Sequence, residues 1–292
     1  MPQAPQLSEV CERALRLPCS PSLMPKLIKV LEDVNSSSDD IEALIKMDTA
    51  LAGSTLRLAN SAFFGGGGNK IESLSEAVIR LGSREIYRLA ALSLASRWMN
   101  QPVKGYQWEP GDFCRRNLVC AIGAEYLAKK GRVVDPSVAY TAALIHEIGK
   151  LAIAYSCAEH MVEVRKLCET NSISWDKAET QVLGYNFAQV GAELLRKWNF
   201  PASLVCVAST QPPTADMPAD VLPLALVVHA GKFIATTLGA GAAEDAFLFG
   251  FNSELLMQHG FTPEVLEAAM PEVLERATKV LGEKLLKGEM TF

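Results

Sequence analysis

The sequence lacks the features of a secreted or membrane-spanning protein. Its seven cysteines are scattered without any C-x-x-C pair, which is typical of a reducing compartment where cysteine serves as a small apolar residue. Residues 1–10 carry prolines and glutamines in place of the basic start and apolar run of a secretory signal. Residues 221–243 are the most apolar later stretch, but His229, Lys232 and several glycines make them too polar for a spanning helix of ~20 residues. We therefore expect a cytoplasmic protein.

Positive charge is also scarce. The chain has 28 lysines and arginines against 33 aspartates and glutamates, which gives a net charge of -5 and a pI near 5.5. No overall positive field is therefore available to attract a nucleic-acid backbone or an anionic membrane surface. We expect neither a membrane partner nor general nucleic-acid binding.

Strand-like alternation of apolar residues is almost absent, and helical spacing dominates the chain. The 292 residues leave room for about two domains at ~150 residues each. Residues 100–110 hold two prolines and a glycine between clear helices, which is typical of a linker. The sequence predicts an all-α, two-lobed helical bundle, with one helical lobe at 1–105 and a second lobe with extra C-terminal helices at 106–292.

The stretch TAALIHEIGK places His146 and Glu147 side by side in what the spacing predicts to be one buried helix. A hydrolytic site of this kind needs several histidines and aspartates that converge on one or two divalent metals. The chain has only four histidines, and neither His160 nor His259 has motif spacing to His146. A lone histidine and acid hold a metal weakly, so we expect neither a metal nor a cofactor.

Several stretches resemble the HDOD family, the HD-related output domain of bacterial signalling proteins. Ser20–Gly65, which contains LRLANSAFFG, resembles the N-terminal half of that family. FCRRNLVCAIGAEYLA, AYTAALIHEIGKLAI and QVLGYNFAQVGAELLRKWNFP resemble, in that order, the helices of its degenerate HD half. The likeness covers residues 18–213 and implies a two-lobed helical bundle of the HD superfamily.

The resemblance implies a regulatory role in bacterial signal transduction without catalysis, because HDOD proteins are generally regarded as outputs or adaptors. The expected partner is another protein or an anionic small ligand. Two alternatives remain open. One is a divergent metal-dependent phosphohydrolase that uses His146, Glu147 and His229. The other is a nucleotide sensor in which Arg115 and Arg116 contact phosphates without turnover.

The resemblance also implies that metal ligands have been replaced. Arg116 stands where the upstream helix of active relatives has a histidine, and Gly231 or Lys232 stands where a final aspartate is expected. We hypothesise that Arg116 supplies the charge of the lost metal and forms a partly buried pair with Glu147. The candidate ligand pocket comprises Arg115, Arg116, His146, Glu147 and Lys232.

The neighbouring residues have simpler expected roles. We expect His146 to be a core histidine bonded to a carbonyl or hydroxyl group. Gly149 is expected to permit close helix packing, and Lys150 to be solvated. Asn60 is expected to cap its helix, and the run of glycines at 65–68 predicts a flexible turn.

Overall fold

The computed structural model describes residues 4–15, 23–33, 35–61, 64, 70–99, 105–109, 111–241 and 250–281. Within these ranges all regular structure is helical and no strand occurs, so the predicted all-α class is confirmed. No helix in the same ranges is long and apolar enough to cross a membrane. The glycine turn predicted at 65–68 lies outside the described residues.

The chain divides into two compact units. The smaller unit is Pro21–Arg97, and the larger unit combines Met1–Ser20 with Trp98–Phe292. This division differs from the predicted lobes at 1–105 and 106–292. The first helix belongs to the larger unit because it packs against two helices that lie far along the sequence.

The smaller unit contains α2 (Leu23–Glu32), α3 (Ser38–Lys46), α4 (Thr49–Ala59) and most of α5 (Leu74–Met99). Ser37 caps α3 in a capping box with Asp40. Gly82 has φ 74° and ψ 162°, so it breaks α5 into two segments in a conformation that favours glycine.

Asn60 does more than cap its own helix. Its side-chain amide donates to Leu56 O at 3.1 Å and to Ile71 O at 2.8 Å. Its side-chain oxygen accepts the backbone N–H of Ile71 at 2.7 Å. Asn60 therefore fixes the end of α4 to the chain segment that leads into α5.

The larger unit is built around α6, which packs most extensively against α7 and α13. A second group forms where α11 packs against α8, α12 and α1. The helices of this unit are α1 (Leu7–Leu15), α6 (Asp112–Gly131), α7 (Pro136–Ile145), α8 (Ile148–Ser156), α9 (Met161–Asn171), α10 (Trp175–Leu183), α11 (Phe187–Lys197), α12 (Ala202–Ser209), α13 (Leu222–Thr237), α14 (Ser253–Gln258) and α15 (Pro263–Leu281).

Two glycines bring the central helices of the larger unit together. A Cβ atom added to Gly231 would lie 2.5 Å from Cys120 O, so α13 approaches the backbone of α6 too closely for a side chain. A Cβ atom added to Gly149 would overlap Phe187 O, so α8 and α11 make a similar approach. The role predicted for Gly149 is confirmed.

Candidate functional site

His146 and Glu147 occupy the junction between α7 and α8 and do not lie within one continuous helix, as the spacing had predicted. The junction turns the chain inside the larger unit, and both side chains are buried, with exposures of 2% and 0%. The fold brings Arg116 of α6 and Lys232 of α13 to the Glu147 carboxylate. Three separate parts of the chain therefore meet at one buried acid.

Glu147 is surrounded by three cations. Its Oε1 atom lies 2.6 Å from Lys150 Nζ, 2.7 Å from Lys232 Nζ and 3.7 Å from Arg116 Nη2. The predicted pair of Arg116 and Glu147 is present, and it is fully buried. Lys150 is 2% exposed, so its predicted solvation is wrong. We call Glu147, Arg116, Lys150 and Lys232 the Glu147 cluster.

The electrostatics of the Glu147 cluster follow from burial and proximity. Burial alone would raise the pKa of Glu147, but Lys150, Lys232 and Arg116 together hold that pKa well below its usual value. Burial lowers the pKa of Lys232 to about 8, although Glu147 partly offsets this effect. Glu147 is thus the carboxylate that allows these cations to be buried.

Aromatic rings complete the surroundings of the cations. Lys150 Nζ lies 4.7 Å from the ring centroid of Phe187, 5.6 Å from that of Trp108 and 5.9 Å from that of Tyr106. Arg116 Cζ lies 5.2 Å from the ring centroid of Trp108. These distances suit cation–π attraction, which is strongest where water is excluded.

A second buried acid, Glu179 of α10, lies behind the aromatic rings and was not predicted. Its Oε1 atom accepts the Tyr106 hydroxyl at 2.6 Å, and its Oε2 atom accepts the backbone N–H of Phe187 at 2.7 Å. Burial raises the pKa of Glu179 to about 7, because it outweighs the effect of these two hydrogen bonds. Its helical spacing from buried Trp175 and Leu183 was the available signal in the sequence.

The two histidines near the cluster are buried and neutral. His146 Nδ1 donates to Ala143 O at 2.6 Å, which confirms the predicted core histidine. His229 Nε2 accepts the backbone N–H of Asn252 at 3.2 Å. Burial is the main cause that lowers the pKa of each histidine to about 3.

Arg115 and Arg116 face different partners, although the predicted pocket joined them. The Arg115 guanidinium pairs with Asp112 on its own helix, whereas Arg116 faces Trp108 and Glu147. Consecutive residues of a helix point in different directions, which explains the separation. The sequence left a joint phosphate site open as an alternative because it shows adjacency but not direction.

The space beside the cluster is small. One cavity of about 20 Å³ is lined by residues that include Lys150, Lys232, Phe187, Gln211 and His229. A volume of this size holds about one water molecule, whereas ligand pockets usually measure about 300–1,000 Å³. Among the residues that the structure describes, there is therefore no room for a nucleotide beside these lysines.

The donor set does not fit a divalent metal. Within the described ranges, no group of three or more histidine, cysteine, aspartate or glutamate side chains is placed to hold one. The groups around Glu147 Oε1 are ammonium and guanidinium groups, which donate hydrogen bonds and repel cations. The chemistry of these residues is that of a buried ion network.

A comparison with protein families identifies the family of this chain. The model of the HDOD domain family matches residues 17–212. The chain belongs to the HDOD domain family. A 199-residue stretch is also 25% identical to an uncharacterised protein of Treponema pallidum, covering 68% of this chain and 38% of that protein. This HDOD chain therefore spans well under half the length of that relative.

Solved structures share the fold. An HDOD domain protein of unknown function from Geobacter sulfurreducens is 19% identical, with a TM-score of 0.67 over 97% of this chain and 95% of that one. A candidate signal-transduction protein from Marinobacter aquaeolei is 22% identical, with a TM-score of 0.71 over 92% and 59%. A candidate phosphohydrolase from Shewanella amazonensis is 22% identical, with a TM-score of 0.64 over 98% of both chains. At these identities the likeness shows the fold alone.

Proposed function

We propose that this HDOD chain is a regulatory module of bacterial signal transduction that binds another protein, or an anionic small ligand, without catalysing a reaction. The observation that carries the proposal is the occupation of Glu147 Oε1 by Lys150 and Lys232, with Arg116 close by. A hydrolase of the HD superfamily needs a metal at the corresponding acid to activate water.

The cations also give Glu147 a structural role. Arg116, Glu147 and Lys232 come from α6, from the junction between α7 and α8, and from α13. Their buried ion pairs connect these elements where a metal would otherwise connect them. A fixed helical core of this kind suits a scaffold that presents surfaces to a partner. The Marinobacter neighbour, a candidate signal-transduction protein, is consistent with that role.

Metal analysis and an activity assay test the proposal together. The full chain, purified without chelator, is analysed for metals by mass spectrometry and assayed with bis(p-nitrophenyl) phosphate in the presence of Mn²⁺ or Mg²⁺. We expect metal far below one equivalent and no turnover above the protein-free control. Glu147→Gln is the matched variant, because it removes the only acid of the cluster while preserving its shape.

A stoichiometric metal, with turnover that Glu147→Gln abolishes, would overturn the proposal and establish the phosphohydrolase alternative. Turnover that Glu147→Gln leaves unchanged would indicate a contaminating enzyme, and the proposal would stand. A rise in Tm with nucleotide that persists in chelator would identify the anionic ligand as a nucleotide.

A further inference from the structure

An apolar groove lies on the surface of the larger unit. It has a volume of about 280 Å³ and is formed by the last turns of α13, by α14 and by the first half of α15. We call it the α13–α15 groove. Its apolar lining includes Phe233, Phe251, Leu256, Met257, Leu266 and Met270.

The lining of the groove is open to solvent at several points. Met257 is 49% exposed and Phe251 is 39% exposed, so large apolar groups face water here. Methionine side chains are flexible and polarisable, and they adapt to the shape of a bound apolar group. These exposed apolar side chains line one concave surface, which is the shape that receives the apolar side chains of a bound helix.

Acidic residues lie on α14 and α15, the two helices that form most of the groove. Residues 253–270 contain Glu254, Glu264 and Glu267 but no lysine or arginine. All three glutamates are exposed, and Glu267 itself lines the groove. A partner with positive charge beside its apolar side chains would complement Glu267 at the groove and the negative charge of its two helices.

We propose that the α13–α15 groove binds a basic amphipathic helix of a partner protein. The apolar side chains of that helix, spaced three or four residues apart, enter the groove, and its lysines or arginines pair with Glu267 and are attracted by the two other exposed glutamates of α14 and α15. This inference rests on the proposed function, since it names the surface and the kind of protein partner through which the module acts.

The groove is also connected to the buried site. Phe251 stacks on Phe233 at 5.0 Å and on His229 at 5.1 Å between ring centroids. His229 lines the same small cavity as Lys232. A helix that contacts Phe251 therefore touches a residue that packs directly on the histidine beside the Glu147 cluster.

The test uses synthetic peptides and the full chain. The probe is a fluorescein-labelled amphipathic helix made of leucine on one face and lysine on the other. The matched probe has glutamate in place of each lysine. Fluorescence anisotropy is expected to show saturable binding of the lysine peptide, weaker binding at higher salt, and no binding of the glutamate peptide.

Three single substitutions locate the binding site. Met257→Lys places a cation in the groove, and Glu267→Lys reverses a charge of its lining; each is expected to weaken binding by about tenfold or more. Val162→Lys is the control, because Val162 is a 63% exposed apolar residue on α9 of the same unit. It adds the same single charge as Met257→Lys at a site outside the groove and is expected to change the Kd by less than about twofold.

Equal weakening by all three substitutions would attribute the binding to net charge and would overturn the proposal. Failure of the lysine peptide to bind would also overturn it. Dimerisation that Met257→Lys abolishes, measured by light scattering, would assign the groove to a second copy of this chain instead. These binding experiments are independent of metal content and of phosphoesterase activity. Failure of the groove proposal therefore leaves the proposal of a non-catalytic module to be tested by the metal analysis and the activity assay.

Discussion

Nζ of Lys232 lies 2.7 Å from Oε1 of Glu147, and both side chains are buried. Lys150 reaches the same oxygen at 2.6 Å. Two ammonium groups therefore share one carboxylate oxygen in a region from which water is largely excluded. We expect removal of the carboxylate to lower the stability of the fold more than removal of either lysine, because every cation of the cluster then loses its pairing with Glu147.

We expect Glu147→Gln to lower the free energy of unfolding of the larger unit by about 3–5 kcal/mol. Lys232→Met should cost less, because Lys150 still pairs with Glu147. The double variant should lose less than the sum of the two single variants, because the two residues interact directly. Urea unfolding followed by tryptophan fluorescence measures these changes, since all four tryptophans belong to the larger unit.

A surface ion pair provides the control for that experiment. Glu193 pairs with Arg196 at 3.2 Å, and the Arg196 side chain is 56% exposed. Glu193→Gln removes the same charge and is expected to cost less than about 1 kcal/mol. Equal losses for Glu147→Gln and Glu193→Gln would show that the buried cluster contributes nothing particular to the fold.

The sequence was sufficient to predict the pair of Arg116 and Glu147, because a cation in place of an expected metal ligand is visible in the motif. It was not sufficient to predict the burial of Lys150. A lysine that follows a glycine near a helix start is normally solvated, and only the packed fold places aromatic rings around it. Trp108 belongs to a segment that the sequence predicted as a linker.

In the fold as well, features set by neighbouring residues can be predicted from the sequence, whereas packing between distant segments cannot. Ser37 caps α3, Asp135 caps α7 and Gly82 breaks α5, and each of these roles follows from residue type and local spacing. The placement of α1 could not be predicted this way. A nine-residue amphipathic helix shows which of its faces is buried, but it does not show which distant helices cover that face.

Gly149→Ala tests the close approach that positions Lys150 beside Phe187. The added Cβ would overlap the backbone oxygen of Phe187, and a backbone atom cannot move aside as a flexible side chain can. We expect a loss of about 3 kcal/mol in the free energy of unfolding, measured by the same tryptophan fluorescence. A loss near zero would mean that α8 and α11 can separate without cost.

Gly131→Ala is the matched control for that substitution. Gly131 is the last residue of α6 in the same unit, it is exposed, and its added Cβ would make only ordinary contacts with the Val133 side chain. Alanine is also a better helix former than glycine. We expect the stability of Gly131→Ala to remain within about 1 kcal/mol of the original protein.

The buried histidines predict how stability depends on pH. The pKa of His146 and that of His229 are each about 3 in the folded protein, against an ordinary value of 6.5. Between these values the unfolded chain binds a proton at each histidine and the folded chain does not. Each histidine therefore lowers the free energy of unfolding by about 1.4 kcal/mol per pH unit as the pH falls through this range.

Two buried acids change this dependence of stability on pH in opposite directions. The pKa of Glu179 is raised from 4.5 to about 7, so between pH 7 and 4.5 the folded chain binds a proton at Glu179 that the unfolded chain does not bind. This stabilises the folded state as the pH falls and cancels the destabilising effect of about one histidine. The pKa of Glu147 is depressed, so its contribution is present above pH 4.5 and is lost as the pH falls below that value. We expect a shallow loss of stability down to about pH 4.5 and a steep loss below it.

His229→Gln isolates one histidine from the other titrating groups. The glutamine side-chain oxygen can accept the Asn252 N–H that His229 Nε2 accepts at 3.2 Å, so the fold is preserved. Guanidinium unfolding across pH 3–6.5, the range set by the His229 pKa values, is compared between this variant and the original protein. The difference between the two curves should change by about 1.4 kcal/mol per pH unit, and His146→Asn should give the same slope. Parallel curves would mean that His229 binds its proton in the folded state as readily as in the unfolded one, which its burial beside Lys232 opposes.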